Sequence, residues 1–205
     1  MEDLTSGQLE AATEAIDEAN GADPNTLEVR GRSGPKELLH SDMMTEWVQR
    51  LDPDADAAQL VAARAHHLRR WTHPRGAYPQ GRAGYRRWRT AAARSQAEEV
   101  SSILLGIGAG PDFIERVGGI IRKRGLGSDP AVQTHEDALC LVFLETQLDD
   151  VIESLGVEHA TAVVARTLPK MSAGALEHAA ALELSPTGRE VLAAAADAAN
   201  RETSQ

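Results

Sequence analysis

Apolar residues recur along this chain at three- and four-residue intervals, and no stretch reads as a convincing alternating strand. That pattern restricts the fold to helices packed on helices. The first amphipathic segment covers Leu4 to Asn20, with Leu9, Ala12, Ile16 and Ala19 on one face and Asn20-Gly21 as its stop. After the loop ADPNTLEVRGRSGP, Pro35 sits where a helix start tolerates it. A second helix is expected over Lys36 to Leu51. The third opens after Asp54, with Asp56 as a candidate cap, and continues to Trp71. Pro74, Gly76, Pro79, Gly81 and Gly84 then break the pattern. Helices resume over Tyr85 to Leu105, Asp112 to Arg124 and Gln133 to Leu155, and two or three shorter ones fill Glu158 to Asn200. The run ALCLVFL is apolar on every side, the mark of a buried helix. The expectation is a single all-α domain over residues 1–205, a bundle of about seven to nine helices with a disordered tail at about 201–205.

A hydrophobic share of 42% supports a folded core, and with aromatics at only 3% that core must be mostly Leu, Ala, Val and Ile. One cysteine, Cys140, excludes an internal disulfide framework and fits a reducing compartment. The opening residues MEDLTSGQLEAATEAIDEAN are acidic and amphipathic, and no apolar run approaches the ~20 residues of a membrane span. A soluble, cytoplasmic protein with no membrane partner is expected.

Charge is unevenly placed. From Ala57 to Ala97 there is no Asp or Glu, yet the segment holds nine arginines and includes RRWTHPRGAYPQGRAGYRRWR. The chain as a whole carries −10, so setting aside the segment's +9 leaves −19 on the rest. Nine like charges need a partner, either phosphate groups or the protein's own acids. Guanidinium forks bind phosphate oxygens bidentately, and aromatic rings can stack on a base or on arginine. Arg70, Arg75 and Arg82 are therefore candidates for holding a phosphate. Arg69, Trp71, Tyr78, Tyr85, Arg86 and Arg89 are candidates for the rest of a substrate. The alternative is internal pairing with Glu98, Glu99, Asp112, Glu145, Asp149 and Asp150.

His40, His66, His67 and Asp137 each lie on an expected helix beside apolar residues. A buried carboxylate must be paired, hydrogen-bonded or bound to metal. Three imidazoles and a carboxylate suit a divalent ion such as Mn, Fe, Ni or Zn. Glu136, next to Asp137, is a further catalytic candidate. A histidine satisfied by a carboxylate in the core, with no metal, is the plain alternative.

A histidine, a doublet 26 residues later and a distant acid resemble the pattern of the HD-domain phosphohydrolases. The resemblance implies an all-helical bundle with a metal held by His40, His66 and Asp137. The doublet departs from that pattern: His67 stands where an aspartate would bridge two ions, which leaves a mononuclear site. A closer resemblance, carried by IDEANGADPN, GPKELLHSDMMTEWV, AARAHHLRRW, PRGAYPQGRAGYRRWR and HEDALCLVFLE, is to domain-of-unknown-function family 4202. It implies no activity, although some members of that family look to be attached to aminoacyl-tRNA synthetase sequences. The leading expectation is a metal-dependent phosphohydrolase acting on a nucleotide or an RNA phosphate. Its rival is a non-catalytic tRNA-binding module using the 64–94 island, and a third reading is a scaffold whose basic loop docks on an acidic partner.

Overall fold

The computed structural model describes residues 3–203. They form ten α-helices and one two-stranded hairpin, so the protein is predominantly all-α. The chain divides into two compact units, Met1–His135 and Glu136–Gln205.

In the first unit, α1 (Ser6–Gly21) begins with a capping box: the Thr5 hydroxyl accepts from the Gln8 N–H, and the Gln8 side chain accepts from the Thr5 N–H. The hairpin β1 (Thr26–Val29) and β2 (Arg32–Pro35) follows, paired antiparallel with Val29 opposite Arg32. No strand was expected from the sequence. Its two-residue turn puts Arg30 (φ 50°) and Gly31 (φ 71°) in the left-handed region, the geometry of a tight hairpin turn. Only Leu27 and Val29 of β1 are partly buried, so the alternation is too short to stand out against the loop around it.

Helix α2 (Lys36–Leu51) matches its expected span. Helix α3 (Ala57–Arg64) starts at a capping box built by Asp56 and Gln59, but it ends seven residues before Trp71. His67 (φ 67°) and Arg69 (φ 47°) then take left-handed conformations that side-chain-bearing residues adopt rarely. Asn20, fully buried, secures this turn by accepting the Arg69 N–H and donating to Ser41 Oγ on α2.

Helix α4 (Gly81–Gly106) begins earlier than expected, because Gly81 and Gly84 are accommodated at its start. Gly84 is required there, since a Cβ would stand 1.7 Å from the Pro79 carbonyl oxygen. Gly84→Ala is expected to destabilise the unit by about 2 kcal/mol or more, read by urea denaturation. It should also speed tryptic cleavage of the 74–80 loop. Helix α5 (Pro111–Ile121) completes the core, where Phe113, Val117 and Ile120 meet Ile16, Ala62, Leu68, Val100 and Leu104.

Helix α6 (Pro130–Thr146) spans the division between the units, and its ALCLVFL run is buried at Ala138, Cys140, Leu141, Val142 and Leu144. The expected 133–155 helix is two elements, because the chain breaks at Gln147 before α7 (Leu148–Leu155). In the second unit α8 (Val157–Thr167) packs on α10 (Pro186–Thr203), with α9 (Ala173–Ala180) between them in sequence. Ala160, Val164, Val191 and Ala195 are buried there. The split helix brings the count to ten among the described residues, above the expected seven to nine. Residues 204–205 of the expected tail lie outside the described residues. Among the described residues no helix is long and apolar enough to cross a membrane.

Candidate metal centre and adjoining cavity

The site begins with the way α2 is started. Asp23 accepts the Glu37 N–H at 3.0 Å and the Asn25 N–H at 2.9 Å, tying the first turn of the helix to the loop before it. Glu37 and His40, three residues apart, then share one face of α2. His40 Nδ1 lies 3.0 Å from Glu37 Oε2, and both residues are buried. The left-handed turn after α3 brings a second imidazole to the same oxygen, with His67 Nδ1 at 3.3 Å. Glu37, His40 and His67 each offer a donor atom, and the three donors lie within 4.8 Å of one another. This buried group could hold a metal ion.

The donor chemistry fits. Two donors bound to one ion at ~2.1 Å and at roughly right-angled to tetrahedral angles stand about 3.0–3.4 Å apart. Both contacts to Glu37 fall in that range. Burial, followed by the positive charge of Arg70 and the neighbouring His40, holds the His67 imidazole well below its ordinary pKa. It is therefore neutral at pH 7, the form that binds a metal. The same spacing also suits two Nδ1–H donors on one carboxylate.

His66 is buried beside His67, with ring centroids 4.3 Å apart, but its Nδ1 meets His135 Nε2 at 3.0 Å. One ring donates and the other accepts, so the accepting ring must be neutral. Burial, then the proximity of His67 and His135, keeps His66 far below its usual pKa. Burial, with Lys123 adding to it, pulls His135 down to about 3. His135 Nδ1 is buried with no hydrogen-bond partner. Glu136 and Asp137 are buried on α6 in the second unit, where the Asp137 carboxylate accepts the Ser172 N–H at 2.9 Å. Glu37, which was not among the residues expected from the sequence, thus contacts two of the expected histidines. The pattern Glu-x-x-His within GPKELLH was the available signal.

A cavity of about 450 Å³ opens beside this group, with Glu37 in its wall together with Lys36, Arg70, Trp71, Arg75 and Trp88. The Arg70 guanidinium lies 4.4 Å from the centre of the Trp88 ring. Burial lowers the Arg70 pKa, and Glu37 and Tyr85 offset that in part. Arg75 donates to the Tyr78 carbonyl at 3.0 Å, and Trp88 Nε1 donates to the His73 carbonyl at 2.8 Å, which fixes the loop against α4.

The other arginines divide into two sets. Arg64 clamps α3 to its neighbours through Asp17 (two bonds at 2.6 Å) and Asp42 (2.6 Å). Arg69 pairs with Glu99 at 3.1 Å and Arg94 with Glu98 at 2.7 Å. Internal pairing thus accounts for these three. Arg82, Arg86, Arg87 and Arg89 are exposed on α4, and no acidic partner lies within ion-pair distance among the described residues. Arg89 lies 5.9 Å from the Tyr85 ring centre.

The chain belongs to the family described as Domain of unknown function (DUF4202), which matches it over residues 10–192. No curated protein and no solved structure matches the chain.

Proposed function

We propose that the protein is a metal-dependent phosphohydrolase acting on a nucleotide-sized phosphate ester. The carrying observation is the contact between two features: Glu37 belongs both to the buried two-histidine group and to the wall of a cationic cavity. Glu37, His40 and His67 would hold one divalent ion, and two imidazoles with one carboxylate favour Mn, Fe, Ni or Zn. Such an ion supplies Lewis acidity, which acidifies water and polarises a phosphoryl oxygen.

The protein's own residues do the rest. Lys36, Arg70 and Arg75 face the cavity and would bind phosphate oxygens, the guanidinium forks fixing orientation as well as charge. Contact with Trp88 holds Arg70 in place before substrate arrives, so less ordering is needed on binding. Trp71, in the same wall, offers a surface for a base or sugar. A volume of about 450 Å³ suits a ligand of nucleotide size.

The test is elemental analysis of the purified protein, followed by a panel of nucleoside phosphates assayed with Mn, Fe, Ni and Zn. One ion per chain and turnover abolished by chelator are expected. Arg70→Ala should raise KM and lower kcat/KM by about 100-fold, as expected for a half-buried arginine contacting phosphate. A metal-free protein that fails to hydrolyse any of the panel after reconstitution overturns the reading.

A further inference from the structure

We infer that the exposed arginine face of α4 carries a strand of single-stranded nucleic acid whose end enters the cavity. Arg82, Tyr85, Arg86 and Arg89 are spaced by three, four and seven residues, which places them within one face of the helix. All four are exposed, and Tyr85 retains 46% of its surface. Several exposed arginines elsewhere in this unit, Arg30, Arg69, Arg94 and Arg124, have acidic partners, whereas Arg50 and Arg87 have none among the described residues. The three on this face have none among the described residues, in a chain with 31 acidic residues to draw on.

Continuity with the cavity supplies the second argument. Trp88 lines the cavity, and its ring meets the Tyr85 ring at a centroid distance of 5.7 Å. Trp88 and Tyr85 therefore make a continuous aromatic step from the cavity wall onto the arginine face. From Arg82 to Arg89 the face runs about 10 Å along the helix. That reach is superfluous for a mononucleotide held in the cavity, but it suits the following phosphates of a strand. An exposed tyrosine ring between arginines favours unpaired bases, which can stack, over a duplex or an acidic peptide. Only the entry of the strand's end beside Glu37 rests on the hydrolase reading; the binding face stands without it.

The experiment measures fluorescence anisotropy of labelled single-stranded RNA and DNA of about ten nucleotides with the full chain, in EDTA, over about 25–200 mM salt. Binding that weakens steeply with salt is expected. R82A/R86A/R89A, checked for an unchanged thermal transition, should bind at least about ten-fold more weakly and flatten the log–log salt slope by about 2. Y85A should weaken binding without altering the slope. R94A, which removes an arginine already held by Glu98, should bind as the wild type does. The inference is overturned if neither strand binds, if the triple variant binds as tightly as the wild type, or if polyglutamate of matched charge competes equally. Strand binding with no hydrolysis, after metal reconstitution, of either a terminally phosphorylated oligonucleotide or the nucleoside phosphate panel sustains the face and removes the hydrolase reading. Mononucleotide turnover without strand binding does the reverse.

Discussion

On the proposed hydrolase reading, Glu37→Gln is expected to abolish metal binding and lower turnover by about 10³-fold, because a Lewis acid at a reacting phosphate is worth several kcal/mol. The fold should survive. Gln has the same shape, and its Oε1 can still accept from the two imidazole nitrogens that now stand 3.0 Å and 3.3 Å from the Glu37 carboxylate. The Glu37 N–H remains tied to Asp23, so the start of α2 is undisturbed. What changes is the anionic charge, and with it most of the attraction for a divalent cation. Metal content by elemental analysis and urea denaturation of the metal-free proteins separate the two effects. A variant within about 1–2 kcal/mol of wild-type stability that lacks both metal and activity is the expected outcome. Should Glu37→Gln keep its metal and its turnover, the two-histidine group is a hydrogen-bonded core feature and catalysis lies elsewhere.

The helical architecture was legible because apolar spacing repeats over long stretches, and α2 was bounded correctly from Pro35 and its amphipathic face. Three things were not legible. The hairpin has four-residue strands with weak alternation, too little pattern to separate from a loop. The end of α3 carries no glycine or proline; the chain turns there because Asn20, 49 residues away, accepts the Arg69 N–H. A tertiary hydrogen bond of that kind leaves no local mark. It also decides the site, since on a continuous helix His66 and His67 would diverge by ~100°, whereas the turn buries both rings side by side. The histidines could be chosen from their apolar surroundings, but their carboxylate partner could not be chosen from distance in sequence. Glu37 is hidden in an amphipathic helix whose acids elsewhere pair with arginines, as Asp42 does with Arg32 and Arg64.

The buried histidine pair is expected to make the protein acid-labile well above the range in which carboxylates titrate. His135 has a pKa of about 3 in the fold and about 6.5 in the unfolded chain. Between those values the unfolded state binds a proton that the folded state refuses, so stability falls as pH falls, by up to about 1.4 kcal/mol per unit. At pH 5 His135 alone removes about 2 kcal/mol, a large share of the stability of an ordinary domain. His66 and His67 are shifted in the same direction and steepen the loss. Asp129, held down by Arg116, contributes only at lower pH. Urea denaturation of the metal-free protein at about pH 7.5, 6 and 5 should therefore give steadily falling midpoints. His135→Gln is the diagnostic variant. Its amide can occupy the place of Nε2 toward His66 without titrating, and it discards the partnerless Nδ1. The variant's disadvantage at pH 7.5 should shrink or reverse by pH 5, and a wild-type midpoint that stays level over this range would contradict a neutral, buried pair.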